Sequence, residues 1–405
     1  MQTLQAEASV SHAAYPTLPM LSCLVDLRCV AARFLRLAHA GGIAPATMSA
    51  APKPFSVGPV RVDPAIVLAP MEGVTDRAFR TTIRALGGCG LAVTEFVSSE
   101  GLTRDVKDAW HMAELDPNEH PVSIQIYGRN PERMAAAARE CQALGADIID
   151  INLGCPSKNV TSGCSGSALM REPELARRIF DAVYDAITVP LTVKMRLGWD
   201  DNALNAPIIA RSAQDAGAQM ITVHGRTKVD MYRVPARWEP IRRVREAITV
   251  PLLCNGDIVG AATATAALAA SGADGIMVGR AVMTDPWTIA RIHAHFAGLP
   301  FAEPTLDDRR HLLHAYVEKL VVQEGKSRRI VSKLRKTIGS FSTGLRNAAR
   351  LRQSISAIDG APEAHKLLDA FFDDLASRGE LPQPWHEDVV ASGDEGGESE
   401  FVTDQ

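Results

Sequence analysis

The sequence predicts an α/β protein, a closed (β/α)8 TIM barrel followed by a smaller all-helical domain. Three observations carry that expectation. Short runs of strand length alternate with Ala-rich segments of helical period from Ala65 to Arg280, one run roughly every 25 to 35 residues. The runs are apolar throughout, as in a parallel sheet covered on both faces. Beyond Arg280 the strand signals stop, and Asp307 to Arg378 carries only amphipathic helical periodicity.

In chain order the runs are AIVLAP (65–70), LAVTEF (91–96), VSIQIYG (122–128), IIDINLG (148–154), PLTVKMR (190–196), MITVHG (220–225), PLLCNG (251–256) and GIMVGR (275–280). Pro131 to Leu144, Pro173 to Ile187 and Ala261 to Ser271 are among the helices expected between them. An open doubly wound sheet is the competing architecture. The strand count and the lack of a GxGxxG turn after the first run weigh against it. In the helical domain, Leu312, Leu313, Tyr316, Val317, Leu320 and Val321 fall on one helical face and are expected in its core.

Of the 405 residues, 46% are hydrophobic and 22% charged, which suits a globular protein. The net charge of −4 is unevenly placed: His386 to Gln405 is acidic and lacks Lys and Arg, so the remainder is basic. Seven Cys without a CxxC pair argue against a disulfide framework or a zinc ribbon and suit a reducing compartment, hence a cytoplasmic protein. The segment Leu18 to His39 is broken by Asp26, Arg28, Arg33 and Arg36, too often to span a bilayer, so no membrane partner is expected. The expected division is a non-structural extension over 1–60, a barrel over 61–298, a helical domain over 299–380 and an acidic, disordered tail over 381–405. The extension is read either as a targeting segment or as sequence upstream of a true start at Met48.

The chain is organised around Ile148 to Met170, where an apolar run breaks into a loop rich in Gly, Ser and Asn and delivers Cys155 to a strand end. A lone Cys beside a tight turn is ordinarily a small buried hydrophobe. Its neighbours change that reading, because nearly every run closes on a polar residue: Glu95, Gln125, Asn152, Lys194, His224, Asn255 and Arg280. A strand-end amide can merely satisfy a turn, and a Lys can reach past the rim to solvent. Residues in phase at every strand end fit one pocket better, because the carboxyl ends of barrel strands share a face.

The chemistry of that face suits a phosphorylated ring cofactor such as a flavin. Phosphate sites in this fold form after the seventh and eighth strands, here NGDIVG and VGRAVM, where Gly permits close backbone approach. Arg280 adds charge. Gln125 can read a ring edge with donor and acceptor, and Lys194 can place positive charge beside a ring that becomes anionic on reduction. Residues 326–352 hold nine Lys or Arg and no Asp or Glu, a bias that suits a polyanion such as nucleic acid, or else a face answering the acidic tail.

The ordered set APMEGVTD (69–76), TEF (94–96), QIYG (125–128), INLGCPSKNV (151–160), VKMRLGW (193–199), VHGRT (223–227), NGDI (255–258) and GRAVMTDPW (279–287) resembles the FMN-dependent tRNA-dihydrouridine synthases. The resemblance runs from Val67 to Trp287 and more loosely to Leu351. It implies that Pro70, Met71 and Glu72 line FMN, and that Gln125, Lys194 and His224 contact its ring or ribityl chain. Asn255, Gly256, Asp257, Gly279 and Arg280 would hold the phosphate end. Asn152 would lie near flavin and base, with Cys155 as proton donor and Arg196 and Lys158 as base or backbone contacts. Within SRRIVSKLRK (327–336), Arg329 and Lys333 match the family's tRNA-binding helix. The implied activity is reduction of tRNA uridine by a monomer, with NADPH or NADH as reductant. Cys164 is the rival acid, and family position favours Cys155. Two readings compete with this one: an FMN enzyme acting on a small pyrimidine, similar to dihydroorotate dehydrogenase, and a non-catalytic RNA-binding protein.

Overall fold

The computed structural model describes residues 51–325 and 328–379. Most of the expected N-terminal extension, including Met48, and the whole acidic tail lie outside the described residues. The expected runs are the strands of a closed parallel barrel, each hydrogen-bonded to the next in sequence and the last to the first. These are β3 (Ile66–Leu68), β4 (Leu91–Ser98), β5 (Val122–Tyr127), β6 (Ile148–Leu153), β7 (Leu191–Arg196), β8 (Ile221–His224), β9 (Leu252–Asn255) and β10 (Gly275–Val278). Helices follow most strands. Pro131–Ala143 and Pro173–Tyr184 each begin with Pro in the first turn, where a missing N–H costs nothing.

The strands have two apolar faces because each side has its own core. Ile149, Ile151 and Leu153 of β6 pack outward with the helices, as do Val193 and Met195 of β7. Ile148 belongs instead to an inner cluster with Val67, Leu91, Val93, Met220, Leu253 and Met277. Each fully buried side chain of this size contributes about 1.5–3 kcal/mol. Within the barrel the apolar filling is interrupted by buried Gln125, Asp150, Asn152 and Thr192. The runs are therefore apolar throughout only on their outer face.

One element was not anticipated. A hairpin, β1 (Phe55–Val57) paired antiparallel with β2 (Val60–Val62), joins the inner cluster through Val57 and Val62. Phe55–Val57 lies within the stretch read as a non-structural extension. Three-residue strands give too short a period to be legible in sequence.

After the barrel come the helices Leu306–Glu324, Arg328–Phe341, Ala348–Ile355 and Ala361–Ser377. Thr305 and Asp308 form a reciprocal capping box that starts the first of them. Leu312, Leu313, Tyr316, Val317 and Leu320 are buried and Val321 packs against them, as their spacing predicts. This unit docks on the barrel's first helix, Arg77–Ala85: Phe341 lies 5.8 Å from Phe79, ring centre to ring centre, and the Gln323 side chain accepts from Ala78 N at 2.8 Å.

Candidate active site

Adjacent strands bring the sequence-predicted residues into register. Gln125 pairs with Asp150, Asn152 with Lys194, Arg196 with His224, and His224 with Asn255. Glu95 departs from this ring. The register of β4 against β5 shifts between Val93 and Phe96, and Glu95 faces Asp76 and the helical unit's Lys333. Burial, then the charge of Asp76, pushes its carboxyl pKa up.

A hydrogen-bonded chain crosses the barrel interior. Asp150 accepts from Thr192 Oγ1 at 2.5 Å and from Gln125 Nε2 at 2.6 Å. Gln125 Oε1 accepts from Asn152 Nδ2 at 2.7 Å. Asn152 Oδ1 then accepts from the backbone N–H groups of Gly154 at 2.9 Å and Cys155 at 2.8 Å. Cys155 is held from its other side by Ser167, whose N–H and hydroxyl both donate to the Cys155 carbonyl. Burial pushes the Cys155 thiol up to about 11, and Glu72 adds to the rise while Ser157 N–H, Arg196 and Lys194 oppose it. The thiol is therefore protonated at neutral pH and can act as an acid.

Cationic groups gather beside it. Lys194 keeps part of its surface open to the mouth, yet the dense protein around it and the charge of Arg196 lower its pKa to about 8. Arg196 is 1% exposed and held by backbone carbonyls, donating to Gly154 at 2.8 Å, Thr227 at 2.7 Å and Met231 at 2.9 Å. His224 is held neutral by burial and by Arg196, Lys194, Arg226 and Arg280. The guanidinium of Arg226 lies 3.2 Å from His224 Nε2 and can only donate, so that nitrogen is the acceptor and Nδ1 carries the proton. Asp257 bridges Arg226 at 2.7 Å and Arg280 at 3.1 Å. Above them Tyr232 presents its ring to Arg280 at 4.7 Å and to Arg196 at 5.3 Å.

Gly256 has φ +110°, and a Cβ there would meet His224 Cδ2 at 2.7 Å, so only Gly fits so close beneath the imidazole. Gly279 abuts the first loop, where a Cβ would lie 3.8 Å from Met71 Sδ. Pro70 and Met71 are half-buried and Glu72 lies on the rim, its carboxyl pKa raised by the surrounding protein against the charge of Lys336. Asn255 donates to the Met277 carbonyl at 2.8 Å, which ties β9 to β10. Lys158 is exposed beyond Cys155.

Four expected site residues have partners that alter their part. Asp257 is an anion and serves to hold Arg226 and Arg280. Arg196 fixes the backbone around Cys155. Lys333 lies at the junction with the helical unit, 2.7 Å from Asp76 and 2.6 Å from Glu324, and Arg329 is ion-paired with Asp108. Asp150, Arg226 and Tyr232 were passed over in the sequence. Arg226 stands inside VHGRT and Asp150 inside IIDINLG, but nothing local shows that a mid-strand Asp turns inward to amides.

The family described as "Dihydrouridine synthase" matches residues 67–376. The probable tRNA-dihydrouridine synthase of Rickettsia conorii is 38% identical over 331 residues, covering 81% of this chain and 99% of that protein. The probable tRNA-dihydrouridine synthase of Rhodobacter capsulatus is 48% identical over 254 residues, 62% of this chain and 77% of the relative. tRNA-dihydrouridine synthase B of Xanthomonas axonopodis pv. citri is 37% identical, covering 79% and 96%.

Proposed function

The chain belongs to the dihydrouridine synthase family, and from that premise we propose that it reduces uridine in tRNA to 5,6-dihydrouridine, with FMN as its flavin and NADPH or NADH as the reductant. The observation that carries this reading is Cys155: a thiol held protonated at the barrel mouth, its backbone N–H fixed by Asn152.

The donor set fits a flavin mononucleotide. Arg226, Arg280 and the Gly256 loop suit a phosphate, and the single anion among them, Asp257, is already saturated by the two arginines. Gln125, Asn152 and neutral His224 suit the polar edge and hydroxyls of the remainder, with Lys194 for charge, Asn255 and Gly279 as the adjacent walls, and Pro70, Met71 and Glu72 as the rim. The hydride taken up at C6 of the base would come from reduced FMN held by these residues. Cys155 delivers the balancing proton to C5, a step that needs a protonated thiol. Arg196 holds the Gly154 carbonyl and so keeps that thiol in place. Lys158, exposed beside Cys155, is assigned to the RNA backbone.

The rim also suits RNA. Trp199 lies between Arg171 at 4.7 Å and Lys228 at 4.8 Å, an aromatic face interleaved with cations. Arg329, exposed on the helical unit, is assigned to tRNA as well, whereas Lys333 is assigned to the junction. No helix among the described residues is long and apolar enough to cross a membrane. We place the protein in the cytoplasm as a monomer, where reduced thiols and tRNA are both available. The test is dihydrouridine mapping of total tRNA from cells with and without the gene, alongside the purified yellow protein given tRNA or free uracil. Loss of no dihydrouridine site on deletion, or turnover of the free base alone, would overturn the reading.

A further inference from the structure

Asp150 is buried inside the barrel without a role in the proposed reaction, and the geometry points to it as the residue that sets the direction of the amide chain ending on the Cys155 loop. This rests on the part given to Cys155 above. The chain has two unambiguous ends. At one, the backbone N–H groups of Gly154 and Cys155 can only donate. At the other, Asp150 Oδ2 receives the Gln125 amide at 2.6 Å. Two amides stand between these ends, and each must accept on one side and donate on the other. Only one orientation satisfies both: Gln125 Nε2 toward Asp150, Gln125 Oε1 toward Asn152 Nδ2, and Asn152 Oδ1 toward the loop.

The consequence reaches the ligand side. Asn152 Oδ1 spends both lone pairs on Gly154 and Cys155, so its only free group is one N–H. Asn152 can then meet only an acceptor, such as a carbonyl oxygen of a base or ring. Gln125 keeps one N–H and one lone pair. Asp150 thus anchors one end of the chain as the loop N–H groups anchor the other, and by giving Gln125 Nε2 its acceptor it supports, two residues away, the polarity the pocket shows and the pinning of the thiol's backbone. The chain keeps this direction whether Asp150 is ionised or carries a proton on Oδ1. Burial raises its pKa, against Gln125, Thr192 and the charge of Lys194, and a proton on Oδ1 would be given to the Thr192 hydroxyl, which can accept it. Asn at this position could do the same, with its Oδ1 toward Gln125 and its Nδ2 toward Thr192. Asp150 is a positioning residue, not a catalytic one.

The test is hydrogen exchange of the Gly154 and Cys155 amides in the purified protein without tRNA. Asp150→Ala is expected to speed exchange at both by about tenfold, the equivalent of one lost hydrogen bond, while amides of β8 are unchanged. Asp150→Asn is expected to keep wild-type protection. Combining it with Thr192→Val, which removes the acceptor that orients the new amide, is expected to lose that protection, whereas Thr192→Val alone is expected to keep it. Should Asp150→Ala fail to fold, this last pair of variants still decides the matter. With tRNA, Asp150→Ala is expected to lower kcat and leave KM nearly unchanged. Unaltered exchange in Asp150→Ala, or exchange in Asp150→Asn as fast as in Asp150→Ala, would overturn the proposal. A protein inactive on tRNA yet showing the expected exchange pattern would instead refute the assigned reaction.

Discussion

Lys333 Nζ lies 2.7 Å from Asp76 Oδ2, and Asp76 is the N-cap of the barrel's first helix, accepting from Phe79 N at 2.9 Å. The same ammonium lies 2.6 Å from Glu324, which His111 also contacts at 2.9 Å. Nearby, Lys336 donates to the Gly73 carbonyl at 2.8 Å, and Arg335 to the Ile358 carbonyl at 2.9 Å. Lys333 and Lys336 of the basic helix therefore fasten the helical unit to the barrel loop that carries Met71 and Glu72, while Arg335 holds the unit together. Arg329, Arg350 and Arg352 remain exposed along the same unit.

Replacing Lys333 by Ala is therefore expected to cost stability, about 2 kcal/mol, because two carboxylates lose a mostly buried partner. Arg329→Ala, which breaks an exposed pair, is expected to cost under about 1 kcal/mol and to act mainly on tRNA affinity. Thermal unfolding and tRNA binding at two salt concentrations separate them. Equal loss of Tm in both variants would contradict the division.

The pH profile of kcat is expected to show an alkaline limb near 8. Lys194, lowered to about 8, loses its charge there, whereas the Cys155 thiol, raised to about 11, stays protonated. The residual activity of Lys194→Arg should lack that limb, since a guanidinium does not titrate in this range. A limb that persists in this variant would assign the titration elsewhere.

The same shift bears on stability. The unfolded chain holds the Lys194 proton up to about 10.5 and the folded chain only to about 8, so this residue's contribution to stability rises with pH across that window. Below it the buried charge is a cost. Lys194→Met is expected to raise Tm at pH 7 by about 2–6 °C while abolishing turnover, as calorimetry and assay on one preparation would show.

Asp257→Ala frees Arg226 and Arg280 from the carboxylate that aligns them. Flavin affinity is expected to fall about tenfold to a hundredfold, the worth of one or two charge-assisted contacts, even though an anion has been removed from a phosphate site. Flavin fluorescence titration of the stripped protein measures it. Tighter binding would mean that Asp257 opposes the phosphate.

Cys155→Ala is expected to keep bound flavin and its reduction by NADPH or NADH while losing most turnover on tRNA, and Cys164→Ala to behave nearly as wild type. Cys164 lies at φ +54° beyond the short helix Lys158–Thr161. Rapid-mixing measurement of the two half-reactions distinguishes the variants, and the reverse result would move the acid to Cys164.

The barrel, the order of its strands and the mouth where its polar residues meet were legible in the sequence. So were Gln125, Asn152, Cys155, Lys194 and His224 as one cluster. The hairpin Phe55–Val62 was not, because its strands are too short to show a period. Nor was Asp150 as the anchor of the amide chain, since a single Asp inside an apolar run looks the same whether it meets solvent or an amide.

Sequence alone determined what is periodic and local: which segments are strands, which ends are polar, and which family's motifs stand in order. Tertiary structure decided how donors and acceptors are shared out among those residues. Arg196 turned out to hold backbone, Asp257 to hold arginines, and Lys336 to hold a loop 263 positions away. The physical reason is that a charge or an amide takes its function from whatever saturates its remaining hydrogen bonds, and distant parts of a chain become neighbours only once the barrel has closed.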